Sequence, residues 1–275
     1  MSPELRAKAR HIALDALSLK AKLSSGRTAL GTPRVHNLYL HEVPPSEEQR
    51  FRELLTWLRL TGHTFIPYSE GIERCATGDV DRSYITFSFD DGFASNLSAS
   101  TILQEFDTVG CFFVVTDFIG ATDLTRARAV LGKGITEPAM SWSDLERMRA
   151  HGHEIGNHTR RHRNLARLTA DEAADEILSA RDVLVDRFGS VEHFAWPLGR
   201  WMHISEVAKD IAQAAHVSVT SAERGAHGNS ETADWCPRRD HIMTNWPLRH
   251  MQYFIIRSAQ TAKEAKSWPQ LPVAQ

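Results

Sequence analysis

Short apolar runs alternate with amphipathic helical patterns along most of the chain, and this alternation limits the fold more than any other feature. The apolar runs are typical of buried strands, and the segments between them carry apolar residues at helical spacing. The runs that predict strands are VHNLYLHEV, HTFIPYS, SYITFSFDDG, CFFVVTDFIG, HEIGNHT, VEHFAWPLG and HVSVTSA. Strands that alternate with helices of about ten residues or more indicate βαβ units, and therefore a parallel sheet of the α/β class.

The repeated strand–helix units predict one barrel in preference to two separate domains, because a typical (β/α)8 barrel takes about 250 residues. The predicted helices are 47–60, 98–106, 142–150, 169–188, 203–215 and 248–259. Ser141 is a predicted N-cap, and Thr169 with Glu172 predicts a capping box. We divide the chain into a basic helical extension at 1–34, a barrel domain at 35–265 and a frayed coil tail at 266–275.

Composition excludes several classes of protein. With 32 Lys and Arg against 34 Asp and Glu, the 275-residue chain has a formal net charge of −2, which argues against a nucleic-acid partner. No run of 18 apolar residues predicts a transmembrane helix. The first residues lack a continuous apolar segment of the secretory type. Cys75, Cys111 and Cys236 are odd in number and widely spaced, so we expect reduced, buried thiols in a cytoplasmic protein.

The N-terminal segment combines positive charge with an amphipathic pattern. Its charged residues are Arg6, Lys8, Arg10, Lys20, Lys22 and Arg27 against Glu4 and Asp15, and Leu5, Ile12, Leu19 and Leu23 recur at near-helical spacing. Such a helix suits an anionic membrane surface, which would make the protein membrane-peripheral. It also suits packing on its own domain or on a second subunit, so a homo-oligomer stays open.

The first segment that can carry chemistry is Ser88-Phe89-Asp90-Asp91-Gly92, at the end of a predicted strand. Active sites of parallel α/β folds form at the carboxyl ends of strands. Two adjacent carboxylates on an extended strand point to different sides, so one can bind a metal while the other accepts a proton from water. Gly92 permits a sharp turn. Taken alone, the Asp-Asp-Gly triplet favours an ordinary turn.

The second segment is His158-Thr159-Arg160-Arg161-His162. If a helix begins after Thr159, the i,i+4 spacing places both imidazoles on one face. Two histidines and one carboxylate with an open position are a standard catalytic zinc arrangement, which other divalent metals also use. We expect the neighbouring arginines to lower the pKa of both histidines and favour neutral rings. The alternative is a pair of exposed histidines.

The third segment, Phe194-Ala195-Trp196-Pro197-Leu198-Gly199, ends a predicted strand because proline cannot continue a ladder. Backbone N–H groups that are freed at such a turn can face a developing oxyanion. Taken alone, the segment is an ordinary transition from a strand to a loop.

Together, the three segments resemble the polysaccharide deacetylase family, the NodB-homology domain of carbohydrate esterase family 4. The family motifs [TS]-F-D-D-G, H-[ST]-x-x-H and R-x-P-x-G correspond here to SFDDG (88–92), HTRRH (158–162) and AWPLG (195–199), in the same order. The strand that carries His41, the segment GHEIGNHT (152–159) and the run CFFVVTDFIG are also similar to family segments. The resemblance covers residues 35–265.

The resemblance implies an irregular (β/α)7 barrel that binds one divalent metal ion, with zinc as the first choice and cobalt, manganese, nickel or iron as alternatives. It implies that Asp91, His158 and His162 bind the metal and that Asp90 is the general base. The implied activity is removal of the N-acetyl group from an amino sugar in a bacterial surface polysaccharide, or in its lipid- or nucleotide-linked precursor. A deformylase or other small-amide hydrolase and a non-catalytic glycan-binding module are the alternatives.

Two positions depart from the family pattern. Ala195 replaces the motif arginine that orients the base, and we predict that Arg238 supplies the missing cation, with Arg239 as the alternative. The family's general acid is a histidine in an L-x-H motif, which we do not identify in this chain, and we assign that role to His241, with His227 in reserve.

Candidate substrate-binding residues complete the predicted site. They are His41, Trp196, Pro197 and Trp235. An indole presents a flat apolar surface on which a sugar ring can stack, although core packing is the alternative for each tryptophan.

Overall fold

Parallel strands form one curled sheet in this computed structural model, which describes residues 3–23, 30–132, 134–228, 236–261 and 268–272. The strands are β1 (Arg34–Leu40), β2 (Thr64–Phe65), β3 (Ser83–Asp91), β4 (Cys111–Val114), β5 (Glu154–Asn157), β6 (His193–Ala195), β7 (Ser218–Thr220) and β8 (Asp240–His241). They are ordered β7–β6–β5–β4–β3–β1–β8, while β2 pairs with the first part of β3. This arrangement confirms the predicted α/β class and the irregular barrel.

Helices connect the strands. They are α1 (Pro3–Leu23), α2 (Glu48–Leu60), α3 (Tyr68–Thr77), α4 (Asn96–Glu105), α5 (Leu124–Leu131), α6 (Trp142–Ala150), α7 (Ala170–Ala174), α8 (Ala180–Phe188), α9 (Glu206–Ala215) and α10 (Leu248–Thr261). A π-helical turn, Asp175–Ser179, joins α7 to α8. Ser141 caps α6, and Thr169 forms a capping box with Glu172, so both predicted helix starts are confirmed.

Strand β3 divides its side chains between the main core and the barrel interior. Phe87 and Phe89 are fully buried and pack edge-on against Phe51 of α2. Ser88 and Asp90, which alternate with them, both bind Arg239. Because successive side chains of a strand point to opposite faces, the polar residues of β3 face the interior and reach its carboxyl end.

The N-terminal helix packs on α10 of its own chain through polar side chains. Asp15 Oδ2 lies 3.1 Å from Arg249 Nη2, Asp15 Oδ1 lies 2.7 Å from His250 Nε2, and Ser18 Oγ donates to the Arg249 carbonyl. The apolar side chains of Ile12 and Leu19 point outward and are 70% and 60% exposed. Packing on its own domain was one of the alternatives for this helix, but the helix uses its polar face.

Several elements differ from the sequence-based expectations. The predicted strand HTFIPYS shrinks to two residues, because Pro67 ends it and α3 begins directly afterwards. Helices α3 and α5 and the short strand β8 were not predicted. The described part of the tail is coil but is not frayed, since Trp268 packs against Trp196 and Leu271 is buried.

Two further observations concern the described residues. All three cysteines are buried, and none of them forms a disulfide with a described residue, as predicted. None of the helices in the described part of the chain has the length and apolar character that a membrane crossing requires.

Candidate metal centre and active site

The turn after β3 sends its two neighbouring carboxylates in different directions. Asp91 has a left-handed φ of 74°, and Gly92 follows with a φ of 98°. The Gly92 N–H donates to the Asp90 carbonyl at 3.0 Å. A Cβ atom on Gly92 would lie 2.6 Å from Ile119 Cδ1, so the turn excludes larger residues. As a result, Asp90 stays in the barrel interior while Asp91 faces the loop that follows β5.

Asp91, His158 and His162 converge on one point. The Nε2 atoms of His158 and His162 lie 3.5 Å and 3.4 Å from Asp91 Oδ1, and the three candidate ligand atoms are all within 4.8 Å of one another. Asp91 Oδ1 is buried and accepts no hydrogen bond from the described residues. Ligands of a tetrahedral zinc ion at bond lengths of 2.0–2.2 Å are separated by about 3.3–3.6 Å. The donor set and its spacing therefore fit a divalent metal ion.

The two histidines meet through a loop, so the expectation of a helix after Thr159 is wrong. Thr159 and His162 adopt left-handed backbone angles, with φ of 68° and 58°, which an α-helix does not allow. The His162 N–H donates to Thr159 Oγ1 at 3.0 Å, which closes the loop on itself. The i,i+4 spacing still brings the imidazoles together, with ring centroids 5.1 Å apart, but by a tight loop.

The His158 ring is held in one orientation by the third motif. Its Nδ1 lies 2.7 Å from the carbonyl oxygen of Ala195, so Nδ1 carries a proton and Nε2 is the ring nitrogen that points toward Asp91. A carbonyl that fixes the outer nitrogen is the usual support for a metal-binding histidine. Ala195 thus contributes through its backbone, although its side chain cannot replace the arginine of the family motif.

The expected effect of the arginines on these histidines is wrong. Burial lowers the pKa of His162 to about 4, and arginines are not among the causes. Burial also acts to lower the pKa of His158, but Asp91 and Asp90 outweigh it and the pKa is raised. The neighbouring arginine charges are instead paired, since Arg160 and Arg161 bind Asp175, and Arg163 binds Glu172.

Arg239 supplies the cation beside Asp90, which corrects our choice of Arg238. Arg239 Nη1 lies 2.6 Å from Asp90 Oδ1, and Nη2 lies 2.9 Å from Oδ2, in a bidentate pair. The Arg238 side chain lies against Gly225, and its carbonyl accepts from Asn37 Nδ2. Alternation along β8 explains the outcome, because residues 239 and 241 share one face of the strand.

The barrel interior holds the Arg239 guanidinium in place. It lies over the rings of Tyr39 and Phe113, at 4.6 Å and 5.0 Å from their centroids, and donates to Ser88 Oγ. Burial alone would raise the pKa of Asp90, but the charges of Arg239 and His158 and the hydrogen bonds from Arg239 together outweigh it, so the pKa is lowered below its ordinary value. Asp90 is therefore an ionised carboxylate at neutral pH and can accept a proton.

His241 lies close to this pair. Its ring stacks on Tyr39 at a centroid distance of 4.7 Å and meets the ring of His41 at 5.2 Å. Burial lowers the pKa of His241 to about 3, with His41 as the next cause. A cavity of about 290 Å³ opens here, lined by His41, His241, Glu42, Glu47 and Glu137 among others. Both predicted residues, His41 and His241, are therefore at the site.

Two other histidines lie elsewhere. His227 pairs with Val35 at the start of β1, and its Nε2 accepts from the Arg238 N–H, so the reserve candidate lies away from the carboxyl end of that strand. The chain does contain an L-x-H sequence, Leu248-Arg249-His250, so the expectation that it lacks one is wrong. His250 is buried against Asp15 of α1.

A larger cavity, about 570 Å³, lies at the amino ends of β6 and β7 beside His193 and Ser218, away from the metal ligands.

The predicted substrate-binding residues of the third motif are buried. Trp196 is fully buried, and its ring packs with Trp201 and Trp268, so the prediction that it stacks on a sugar is wrong. Pro197 is also buried, two residues after Ala195. Trp235 lies outside the described residues.

Comparison with known proteins decides the family. The sequence profile described as polysaccharide deacetylase matches residues 77–218, more than half of the chain. The chain belongs to the polysaccharide deacetylase family. This membership supports a hydrolase that deacetylates polysaccharide, and the Asp-His-His cluster agrees with a family that is generally metal-dependent.

Solved structures of deacetylases share the fold. A deacetylase from Streptococcus pyogenes, in complex with acetate, superposes with a TM-score of 0.65 at 16% identity, covering 83% of this chain and 99% of that chain. IcaB from Ammonifex degensii gives 0.63 at 19% identity, covering 83% and 98%. A de-N-acetylase from Aggregatibacter actinomycetemcomitans gives 0.63 at 15% identity, covering 80% and 99%. A search among curated proteins returned no match.

Proposed function

We propose that the protein is a metal-dependent hydrolase that removes the N-acetyl group from an amino sugar of a bacterial surface polysaccharide or of its precursor. The observation that carries this proposal is that two neighbouring carboxylates have different surroundings. Asp91 faces His158 and His162, whereas Asp90 is held by Arg239. A protein that only bound glycan would need neither the ligand set nor the ionised base beside it.

The residues of this site have separate proposed roles in amide hydrolysis. Asp91, His158 and His162 would hold one divalent ion, for which zinc is the first choice and cobalt, manganese, nickel or iron are alternatives. When bound, such an ion lowers the pKa of water and polarises a carbonyl group. Asp90 takes the proton from the attacking water, because Arg239 keeps the carboxylate ionised and oriented. A carbon–oxygen bond forms, the carbon–nitrogen bond breaks, and acetate and a free amine are released.

His241 is the proposed proton donor to the leaving amine. Its ring shares the cavity with His41, beside Asp90 and Arg239. Because burial lowers the pKa of His241 to about 3, the ring is neutral at pH 7 and must take up a proton during the cycle before it can donate one. His41, in the same cavity, is the proposed substrate contact.

We place the reaction in the cytoplasm, in the assembly of a surface polysaccharide, and propose a peripheral membrane contact through α1. The three cysteines are buried and none of them forms a disulfide with a described residue, which fits a reducing compartment. Helix α1 uses its polar face against α10 and turns Ile12 and Leu19 outward. The same helix carries more basic than acidic residues, and Asp15 is already paired with Arg249, so an anionic lipid surface complements it.

An acetate-release assay with metal analysis tests the proposed activity. Polymeric, lipid-linked and nucleotide-linked N-acetylated amino sugars are offered to the purified protein, and acetate and formate are both measured. We expect acetate release that stops on chelation and returns with zinc. Asp90→Asn should keep the metal and lose turnover, whereas Asp91→Ala should lose both.

The two alternatives give different results in this assay. Formate without acetate would indicate a deformylase on the same barrel. Glycan binding with neither product from any donor would indicate a non-catalytic module and overturn the proposal. Asp182→Asn, an exposed carboxylate on α8, is the matched control and should behave as wild type.

A further inference from the structure

A π-helical turn lies directly against the loop that carries both histidine ligands. The turn spans Asp175–Ser179, and turns of this kind are rare and frequently occur at functional sites. Its residue Glu176 is fully buried, which is unusual for a glutamate unless the charge is paired. Both the carboxylate and the carbonyl oxygen of Glu176 accept hydrogen bonds from the loop 158–162.

Every backbone N–H group of that loop has an acceptor, and Glu176 supplies two of them. The donors and acceptors are His158 N–H to Val114 O at 3.1 Å, Thr159 N–H to Asn157 Oδ1 at 2.9 Å, Arg160 N–H to Glu176 O at 2.9 Å, Arg161 N–H to Glu176 Oε2 at 2.8 Å, and His162 N–H to Thr159 Oγ1 at 3.0 Å. No other residue outside the loop contributes two of these five acceptors.

The loop requires such support because of its backbone conformation. Thr159 and His162 are left-handed without being glycine, and residues of this kind persist only where their surroundings hold them. His162 is itself a candidate ligand. A relaxation of the loop would therefore turn its imidazole away from Asp91.

The π turn explains how a helix can supply these acceptors. In an α-helix, each carbonyl accepts from the N–H group four residues later. Here two successive carbonyls also accept from the metal-binding region: Glu176 O from the Arg160 N–H, and Ile177 O from Asn157 Nδ2 at 2.9 Å. The second bond fixes Asn157, which in turn holds the Thr159 N–H.

The side chain of Arg161 strengthens the same contact. Its Nε donates to Glu176 Oε1 at 3.0 Å, and its Nη2 binds Asp175 Oδ2 at 2.9 Å. The arginine between the two ligands therefore attaches the loop to the π turn.

We propose that Glu176 is a positioning residue of the metal centre, which holds the loop 158–162 in the conformation that brings His158 and His162 onto Asp91. This inference rests on the proposed metal site. It assigns a function to a buried carboxylate that touches neither the ligand atoms nor the base.

Zinc affinity of the metal-stripped full-length protein, measured in competition with a chromophoric chelator, tests the proposal. Glu176→Ala removes both carboxylate acceptors and should weaken zinc binding about 10–100-fold, as expected for the loss of a ligand-supporting residue. Glu176→Asp retracts the carboxylate and should also weaken binding, whereas Glu176→Gln keeps one acceptor for the Arg161 N–H and should restore most of the affinity. Asp182→Asn, on the following helix, should bind zinc as wild type.

The outcomes separate positioning from general stability and from the proposed activity. If the folded Glu176→Ala or Glu176→Asp protein, checked by circular dichroism, binds zinc as tightly as wild type, the inference is overturned, and a lowered urea midpoint would show a purely structural role. Should Glu176→Ala not fold, Glu176→Asp carries the test. Wild type that binds zinc but releases no acetate contradicts the proposed activity alone, and wild type that binds no zinc contradicts both.

Discussion

Arg239 and Asp90 form a fully buried bidentate pair, with nitrogen–oxygen distances of 2.6 Å and 2.9 Å across 149 residues of sequence. The family's third motif begins with an arginine that orients the base aspartate, whereas here that position is Ala195. The cation beside Asp90 thus comes from the residue directly before β8, which lies at the opposite end of the strand order from β6 and β7. Removing one partner of a buried pair leaves an uncompensated charge and is costly.

Arg239→Ala should lower kcat/KM about 10²–10⁴-fold, the range that general-base catalysis contributes. Since Arg239 lowers the pKa of Asp90, its loss raises that pKa, and the acid limb of the kcat/KM profile should move to higher pH. Arg239→Lys keeps the charge but not the bidentate geometry and should lose less activity. Arg238→Ala is the control, and equal losses in both alanine variants would contradict the assignment.

His241→Ala should lower kcat about 10²–10⁴-fold if His241 donates the proton to the leaving amine. Metal affinity should stay unchanged because His241 is not among the ligands. The exposed His151→Ala serves as the control. Unchanged turnover at saturating substrate would remove His241 from the mechanism.

On acidification, the metal-free protein should begin to lose stability at a higher pH than the titration of carboxylates alone would cause. Burial lowers the pKa of His36 to about 3, and that of His153, His193 and His216 to about 4. These histidines have a pKa of about 6.5 when unfolded, so the unfolded chain binds more protons as pH falls from about 6.5 to about 4. The free energy of unfolding should fall through this window, by at most about 1.4 kcal/mol per pH unit for each histidine.

Urea unfolding at pH 7.5 and pH 5, in the presence of a chelator, measures this dependence. His36→Leu should reduce the difference in unfolding free energy between the two pH values by roughly 2 kcal/mol, since one buried histidine no longer titrates. His151→Asn, at an exposed position, should leave the dependence unchanged. An unfolding free energy that is constant from pH 7.5 to pH 5 would refute the prediction.

Trp196→Ala should affect stability and not substrate affinity, because the indole is fully buried with Trp201 and Trp268. Loss of a buried tryptophan costs about 3–5 kcal/mol in the free energy of unfolding. At a temperature where the variant is folded, KM should remain close to wild type. Met202→Ala, at a residue that is 69% exposed, should change neither quantity. A selective rise in KM would restore Trp196 as a sugar contact.

The outward face of α1 should bind liposomes that contain anionic lipid. Ile12→Asp and Leu19→Asp each place a charge on this face and should reduce the protein that floats with the vesicles. Leu60→Asp introduces the same change at an 81% exposed residue of α2 and should have no effect. Equal flotation by all variants, or none by wild type, would eliminate the membrane contact.

Much of the site could be predicted because its chemistry lies in short segments. Asp90 and Asp91 are neighbours, and His158 and His162 are four residues apart. Any fold that places the carboxyl ends of β3 and β5 near each other therefore brings the three candidate ligands together. The loop conformation was not predictable, because left-handed Thr159 and His162 are held by acceptors from Asn157 and the π turn.

The sequence around His241 contains a signal that distinguishes Arg239 from Arg238, and our prediction did not use it. A strand ending at His241 places residue 239 on the same face and residue 238 on the opposite one. Strand β8 has only two residues, and its pairing with β1 is visible only in the folded chain. Trp196 was misassigned for a related reason, since its burial depends on Trp268 in the distant tail.

The sequence by itself determined the α/β class, the family resemblance and the three candidate metal ligands with their base, because these follow from hydrophobic periodicity and from motifs within a few residues. Only the tertiary structure decided which arginine serves Asp90, how the histidine loop is held and which aromatic residues are core. Those properties depend on contacts between residues far apart in the chain, such as Asp90 with Arg239 and Trp196 with Trp268. Local periodicity carries no information about such pairs, whereas the packing of the barrel fixes them.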